Sequence, residues 1–283
     1  MPKDIRLIAL DLDGTLLTTD KRLTERNRNA LLRAWEEGIA IVPVTGRIFN
    51  GLPRSVLELP CLKYAILCNG ASVYDVAGDR LLCRAEMPLA QVLEIMSWLD
   101  GQPVIYDCYA EGRGFMTEAM WNQIDRYAWS PIVVDYMKSV RAPVPELKAF
   151  LRQKGWDIQK IQAFCPDEDT QRRLLTHMPF SGIAVSSSVP RNVEINREDA
   201  TKGRALLALA KHLGLRREQV MAFGDGQNDV SMIARAGVGV CMENGCPEAR
   251  AAARMIAPRN TEDGVAAVIE QFLARGEIGP YRR

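Results

Sequence analysis

The stretch that decides the fold is IRLIAL at residues 5–10, followed by DLDGT at residues 11–15. The first six residues are apolar apart from Arg6, and the run stops at an acidic loop containing a glycine. A continuous apolar run of this kind is typical of a strand buried on both faces of a parallel sheet. In an extended segment, residues i and i+2 face the same side. We therefore expect the carboxylates of Asp11 and Asp13 to point at one site.

Buried strands alternate with helices at both ends of the chain. A helical pattern after Thr24 ends at Gly38, a good C-cap residue. Strands are then predicted at 39–44, 64–67, 219–223, 238–241 and 255–256, and helices at 200–212, 230–236 and 264–272. This rhythm predicts an α/β fold with a doubly wound, Rossmann-like parallel sheet.

The middle of the chain has a different order of predicted elements, which indicates an inserted α+β domain. Helical patterns at 89–99, 145–154 and 168–177 alternate with strands at 103–108, 158–164 and 182–186. With 283 residues the chain is long enough for two hydrophobic cores. We expect a core domain of residues 1–82 and 190–283, and an inserted domain of residues 83–189.

Bulk composition excludes several classes of partner. Lys plus Arg is 36 against 35 for Asp plus Glu, so a net charge of +1 favours neither nucleic acid nor an anionic membrane. No stretch approaches the roughly 18 apolar residues of a membrane span, and the N-terminus does not resemble a signal peptide. Seven cysteines without a C-x-x-C pair suggest a reducing compartment, so we expect a cytoplasmic protein. The sequence does not predict its oligomeric state.

Polar residues follow the predicted strands at their carboxyl ends, where ligands bind in open parallel sheets. They are Asp11, Asp13, Thr45, Asp225, Asn228 and Asp229. Crowded carboxylates repel unless a cation lies between them, and oxygen ligands beside a phosphate suit Mg²⁺. Lys202, in the first turn of a predicted helix, opposes the helix dipole, which suggests a purpose beyond solvation. Taken singly, an acid here could be a helix cap, Thr45 a helix N-cap and Lys202 a surface lysine.

Four motifs in order resemble the haloacid dehalogenase superfamily. They are D-x-D-G-T at 11–15, V-x-x-T-G-R at 42–47, T-K-G at 201–203 and G-D-x-x-N-D-x-x-M at 224–232. An insertion between the second and third motifs resembles the Cof-type phosphatases of subclass IIB, which implies a C2B-type cap domain. Asn244-Gly245 departs from the Asn-Ala that is usual in the family, away from the catalytic positions.

The resemblance implies a role for each matched residue. Asp11 would be the nucleophile and a Mg²⁺ ligand, and Asp13 the general acid and base, with its backbone carbonyl on the metal. Asp225 would bind Mg²⁺ directly or through water, with Asp229 supporting it. The residues implied to hold the phosphoryl group are Thr45, Gly46, Lys202 and Asn228.

The implied activity is Mg²⁺-dependent hydrolysis of small phosphorylated metabolites, such as sugar phosphates, through a phospho-aspartate. A phosphosugar mutase on the same scaffold and a non-catalytic phosphometabolite-binding protein are the alternatives. An inserted domain can close over a cleft and supply specificity. Candidate substrate contacts in a polar-aromatic stretch of that domain are Tyr106, Tyr109, Arg113 and Phe115.

Overall fold

Short strands alternate with helices through most of the chain, and the computed structural model describes residues 4–128 and 130–277. The strands are β1 (Leu7–Leu10), β2 (Ala40–Pro43), β3 (Tyr64–Leu67), β4 (Ser72–Asp75), β5 (Arg80–Arg84), β6 (Ile105–Ala110), β7 (Arg113–Thr117), β8 (Arg141–Val144), β9 (Lys160–Phe164), β10 (Ile183–Ser186), β11 (Asn192–Arg197), β12 (Val220–Gly224), β13 (Val238–Met242) and β14 (Met255–Ala257). The helices are α1 (Glu25–Glu36), α2 (Arg54–Leu57), α3 (Leu89–Leu99), α4 (Glu118–Trp121), α5 (Ile124–Tyr127), α6 (Pro131–Val140), α7 (Leu147–Lys154), α8 (Glu168–His177), α9 (Lys202–His212), α10 (Val230–Arg235), α11 (Pro247–Ala252) and α12 (Gly264–Ala274).

The parallel sheet has the order β14-β13-β12-β1-β2. From β1 the chain runs outward through β2, and β3 continues in that direction through an isolated parallel bridge between Val44 and Ile66. After the insertion it resumes on the other side of β1 with β12, β13 and β14. This reversal confirms the doubly wound topology, and its switch point lies between β1 and β12.

Helices cover both faces of this sheet because its interior strands are apolar on both sides. Leu7 and Ala9 of β1 share a hydrophobic cluster with residues of α9 and α10. On the other side, α1 packs against α12 and against β2. Thr24 caps α1, since its side chain accepts a hydrogen bond from the backbone nitrogen of Asn27.

The described chain divides into two compact units. The core unit contains residues 4–46, Leu52–Cys83 and 201–277, and the insert unit contains Arg47–Gly51 and Arg84–Ala200. The second boundary therefore follows Ala200, later than the position expected from the sequence. The reason is β11, whose ladder partners are β9 and β10 of the insert unit.

Arg47–Gly51 also belongs to the insert unit, although the sequence suggested the core. The Arg47 guanidinium lies 4.8 Å from the centre of the Tyr136 ring, within range of a cation–π interaction. Its Nη1 also donates a hydrogen bond to the carbonyl of Gly51 (2.7 Å). These contacts are made by side chains, so the sequence pattern of strands and helices could not predict them.

The insert unit is an α+β structure built on a sheet of order β10-β11-β9-β6-β7-β8. One face of this sheet forms a hydrophobic core with α3, α7 and α8. Strands β7, β8 and β11 and helices α4 to α6 were not predicted. Within the part of the chain that the structure describes, no helix combines the length and the apolarity needed to cross a membrane.

Candidate active site

The carboxyl ends of neighbouring strands bring the motif residues of the core unit together. Asp11 follows β1, and Asp225 follows β12, the strand paired with β1 in register from Leu7 to Leu10. Thr45 follows β2, on the other side of β1. Residues far apart in the chain thus meet because their strands are adjacent, as the sequence analysis expected.

Lys202 is a buried cation at the first position of α9, with 1% of its surface exposed. Its Nζ donates hydrogen bonds to Asp11 Oδ1 at 2.7 Å and to Asp229 Oδ1 at 2.6 Å. Both carboxylates are buried as well. Burial lowers the pKa of Lys202, but the attraction of Asp11 and Asp229 outweighs it, so the pKa lies above its usual value. The alternative of a solvated surface lysine does not fit this geometry.

Asp225 lies beside the same group and is held by Thr15, whose hydroxyl donates to Asp225 Oδ1 at 2.8 Å. The backbone nitrogens of Asp225 and Gly226 donate to Asp229 Oδ2 at 2.9 and 2.8 Å. These two bonds tie the loop after β12 to Asp229 and orient both acids.

One carboxylate oxygen each from Asp11, Asp225 and Asp229 lies within 4.8 Å of the others. When ionised, three carboxylates and one ammonium leave a formal charge of −2 in this buried cluster. A divalent cation would cancel that charge, and hard carboxylate oxygens are the ligands that Mg²⁺ takes in proteins. The residues present therefore fit a divalent metal ion.

The pKa values of two of these acids reflect the same crowding. Burial, followed by the negative charge of Asp229, raises the pKa of Asp11 well above its ordinary value, against the opposing effect of Lys202. Burial and Asp229 likewise raise the pKa of Asp225 to about 7. Perturbed acids of this kind concentrate at functional sites because such sites crowd like charges.

Gly14 allows Asp225 to approach the loop after β1. Its φ is +89°, and a Cβ built on it would lie 2.4 Å from Asp225 Oδ2. Any other residue here would be strained by the backbone and would also collide with the carboxylate.

Asp13 is not among the three acids that lie within 4.8 Å of one another. The chain turns at Leu12, whose carbonyl accepts hydrogen bonds from the backbone nitrogens of Thr15 and Leu17. Asp13 Oδ1 instead pairs with Lys21 Nζ at 2.8 Å, although its charge still contributes to raising the pKa of Asp225.

The residues predicted to hold phosphate lie around the cluster. Thr45 is buried; its backbone nitrogen donates to Ile66 and its carbonyl accepts from Asn69. Gly46 follows it directly. Asn228 Nδ2 donates to Asn69 Oδ1 at 3.2 Å, which links the loop after β3 to the loop after β12.

Asn244 and Asn260, which were not predicted to belong to the site, bond the loop after β1. Asn244 Nδ2 donates to the Gly14 carbonyl at 2.8 Å and its Oδ1 accepts from the Asn260 nitrogen. Asn260 Nδ2 reaches the Leu17 carbonyl at 2.9 Å. The available signal was the position of Asn244, because an asparagine just past a buried strand is well placed to bond backbone groups.

The four residues suggested as substrate contacts fall into different environments of the insert unit. Tyr106 and Phe115 belong to its hydrophobic core, where Phe115 packs on the Phe150 ring at 5.0 Å. Tyr109 is buried on the other face of β6, and Arg113 is exposed at the start of β7. Packing thus accounts for Tyr106 and Phe115, and Arg113 is the exposed candidate.

That other face of the insert sheet carries buried charges, which were not predicted from the sequence. Arg141 pairs with Asp107, and Lys160 pairs with Glu194 at 2.8 Å. Both cations lie near the Tyr109 ring, with Lys160 Nζ 5.1 Å from its centre. Polar residues at alternate positions, such as Lys160 and Gln162 of β9, were the available signal, since such positions share one face.

Comparisons with known proteins agree with this geometry. The family model described as haloacid dehalogenase-like hydrolase matches residues 8–269. The chain is 29% identical to the phosphatase YwpJ of Bacillus subtilis, covering 95% of this chain and 100% of the relative. It is also 29% identical to the pyridoxal phosphate phosphatase YbhA of Escherichia coli, covering 95% and 98%.

Among solved structures, a haloacid dehalogenase-like hydrolase from B. subtilis superimposes with a TM-score of 0.81 at 27% identity, covering 94% of this chain and 99% of the other. The family match includes strands from all three sheets of the described chain. The four motifs resembled this group, and the match confirms that resemblance. The chain therefore belongs to the haloacid dehalogenase-like hydrolase family, and its relatives place it among the phosphatases of that family.

Proposed function

We propose that this protein is a Mg²⁺-dependent phosphatase that removes phosphate from small phosphorylated metabolites through a phospho-aspartate on Asp11. The observation that carries the proposal is the buried cluster in which Lys202 bridges Asp11 and Asp229 while Asp225 completes a three-carboxylate group. A nucleophile, a fixed cation and an unbalanced negative charge suited to a divalent ion occur together there.

Asp11 acts as the nucleophile, and its carboxylate oxygen forms a bond to phosphorus as the leaving oxygen departs. This splits a very slow hydrolysis into two easier displacements. An anionic nucleophile meets an anionic phosphate, so the charge of Lys202, held 2.7 Å from Asp11, lowers the repulsion. A bound Mg²⁺, held by Asp11, Asp225 and the Asp13 carbonyl, would supply further charge neutralisation.

Asp13 donates a proton to the leaving oxygen and then accepts one from the water that hydrolyses the phospho-aspartate. Its carboxylate is partly exposed, at 29%, and its Lys21 partner at 46%. An exposed ion pair of this kind contributes little to stability, so separating Asp13 from Lys21 requires little free energy.

Thr45, Gly46 and Asn228 are assigned to the transferring phosphoryl group together with Lys202. The hydrogen bond from Asn228 to Asn69 joins the loop after β12 to the loop after β3, which would hold Asn228 in position. Asp229 accepts hydrogen bonds from the backbone of Asp225 and Gly226 and so positions Asp225 as a metal ligand.

The family and the names of the relatives support the proposed substrate class. One relative is named for pyridoxal phosphate, a small phosphorylated metabolite. Sugar phosphates are the first class to test, with pyridoxal phosphate beside them. Arg113 of the insert unit is the proposed contact to the substrate's organic part.

The decisive experiment is a phosphate-release screen over sugar phosphates, nucleotides and pyridoxal phosphate, with MgCl₂ and with EDTA. We expect Mg²⁺-dependent release from at least one substrate, and none above background from Asp11→Asn, which keeps the fold. Asp79→Asn, an exposed acid in the same unit, is the matched control and should retain activity.

Release of phosphate separates a phosphatase from a mutase, which would transfer it and need an activating bisphosphate. No release from any substrate would favour a binding protein and contradict the proposal. Full activity in Asp11→Asn would refute the assignment of the nucleophile.

A further inference from the structure

The loop after β3 passes through three successive residues with a left-handed backbone. The φ angles are +51° at Cys68, +61° at Asn69 and +102° at Gly70, and the backbone nitrogen of Ala71 closes the turn on the Cys68 carbonyl at 3.2 Å. Glycine adopts this conformation freely and asparagine tolerates it, whereas it is strained for Cys68. Backbone strain persists only where surrounding contacts hold it, and it is concentrated at functional sites.

Asn69 bonds two of the segments that carry the predicted phosphate-binding residues. Its backbone nitrogen donates to the carbonyl of Thr45 at 3.0 Å, in the loop after β2. Its side-chain Oδ1 accepts a hydrogen bond from Asn228 Nδ2 at 3.2 Å, in the loop after β12. One residue outside the four motifs thus joins two of them.

The same loop packs against the start of α9, the helix whose first residue is Lys202. A Cβ built on Gly70 would lie 2.4 Å from the carbonyl oxygen of Thr201, the N-cap residue of α9. Only glycine allows so close an approach, so the loop and the first turn of α9 are held at a short separation. The segments that carry Thr45, Lys202 and Asn228 therefore all contact the loop after β3.

Asn69 and Asn228 differ in exposure in the way that a supporting residue and a ligand-binding residue would. Asn69 is 4% exposed, whereas Asn228 is half-buried and accessible from solvent. An amide NH₂ group has two N–H donors, so a bond to Asn69 Oδ1 leaves the second donor of Asn228 for a phosphoryl oxygen. The bond also decides which end of the amide carries the donors, because a half-turn of the Asn228 amide would bring two carbonyl oxygens together and present an acceptor to the phosphate.

We propose that Asn69 is a positioning residue for phosphoryl transfer, which orients the amide of Asn228 toward the phosphoryl group beside Thr45 and Lys202. This inference rests on the proposed phosphatase function and adds to it a residue that does not touch the substrate. Because Asn69 acts through Asn228, the effect of removing its side chain depends on the presence of the Asn228 amide.

The test is a double-mutant cycle on kcat/KM for phosphate release, with Asn69→Gly, Asn228→Ala and the double variant. Asn69→Gly keeps the left-handed backbone and removes only the side chain. We expect it to lower kcat/KM about 10-fold in the parent, and by less than about 2-fold in the Asn228→Ala background. Inhibition by orthovanadate, which takes the five-coordinate geometry of the transition state, should weaken about 10-fold in Asn69→Gly as well.

Two further variants separate the side chain from the backbone. Asn69→Ala loses the same hydrogen bond, so its kcat/KM should match that of Asn69→Gly, but its Tm should be lower because alanine is strained in the left-handed region. Asp79→Gly is the matched control, since Asp79 is exposed and also has a left-handed φ, of +46°. It should retain the kcat/KM of the parent and its inhibition by orthovanadate.

Parent-like kcat/KM in a folded Asn69→Gly would overturn the inference. An equal loss with and without the Asn228 side chain would also overturn it, because Asn69 would then act on the fold as a whole. Both results leave the proposed function intact, since the parent still releases phosphate. No release from the parent would instead overturn the proposed function, and this inference with it.

Discussion

Lys202 is buried together with the two carboxylates that hold it, Asp11 and Asp229. Ion pairs in such surroundings gain Coulomb energy at the expense of hydration, so their net contribution to stability is small while both partners remain. Removing one partner is different, because the charge left behind has lost both water and its counter-ion. At this residue the same contacts therefore serve the chemistry and make the fold sensitive to substitution.

Lys202→Met tests this sensitivity. Without the ammonium, Asp11 and Asp229 are left close together and unpaired, so we expect the free energy of unfolding to fall by roughly 3–5 kcal/mol and phosphate release to be lost. The measurement is urea unfolding at pH 8, without metal.

The loss should be smaller at pH 5, where a proton can replace the missing charge. Lys211→Met, on the exposed side of the same helix, should change the free energy of unfolding little. A loss below about 1 kcal/mol in Lys202→Met would mean that the buried charges find other partners.

Asp225 makes the stability of the metal-free protein depend on pH. Its pKa is raised from 3.8 to about 7 by burial and by Asp229. Between those values the folded state binds more protons than the unfolded state, so the free energy of unfolding falls as pH rises. We expect the Tm of the EDTA-treated protein to fall by about 3 °C or more from pH 5 to pH 8 on this account.

The comparison that isolates this effect is Asp225→Asn, which cannot titrate and should show a distinctly smaller fall. Asp79→Asn should retain the parent's fall. Parallel pH profiles for the parent and Asp225→Asn would show that the proton is not bound at this carboxyl group.

At the scale of elements, the site depends on how closely α9 approaches α10. A Cβ added to Gly203 would lie 2.2 Å from the backbone oxygen of Ser231, and the Gly203 nitrogen donates a hydrogen bond to Ser231 Oγ at 3.0 Å. The first turn of α9 carries Lys202, so the distance between these helices sets where the ammonium lies.

Gly203→Ala should push α9 away from α10. We expect a loss of about 1–3 kcal/mol in the free energy of unfolding, the usual cost of overpacking. Phosphate release should fall more than stability suggests, because Lys202 moves with the helix. Urea unfolding and phosphate-release rates, measured on the same preparations, test both statements.

Gly101→Ala is the control, since its nearest contact to an added Cβ is an ordinary 3.5 Å. Normal activity in Gly203→Ala would show that the two helices can separate without moving the ammonium.

The elements of the insert unit show which structures a sequence pattern predicts and which it does not. Helices α3 and α8 coincide with the predicted ranges because each has an amphipathic pattern with clear ends. Strand β11 was not predicted, although it alternates apolar Val193 and Ile195 with polar Glu194 and Asn196, which the structure buries. In isolation those polar residues suggest a surface segment, and only the partners supplied by other strands make their burial tolerable.

At the scale of the whole molecule, metal binding should stabilise the fold. A ligand that binds only the native state adds stability by mass action, about 2.7 kcal/mol at 100 times its dissociation constant. We expect MgCl₂ to raise the Tm of the parent and to do so more at pH 8 than at pH 6, because protons compete for the carboxylates.

Thermal unfolding with MgCl₂, against NaCl at matched ionic strength, measures this effect. Asp225→Asn should lose most of it and Asp79→Asn none. A Tm that does not respond to MgCl₂ up to about 20 mM would contradict the proposed magnesium site.

The sequence by itself determined the parallel sheet, its helices and the identity of the acids and lysine at its edge. It could do so because buried strands are apolar runs and the residues that end them are polar, which is a local property of the chain. Tertiary structure alone decided the boundary after Ala200, the pairing of Asp13 with Lys21 and the buried charges of the insert sheet. Each of these depends on turns and on partners distant in the chain, and the burial of a charge becomes favourable only once those partners are in place.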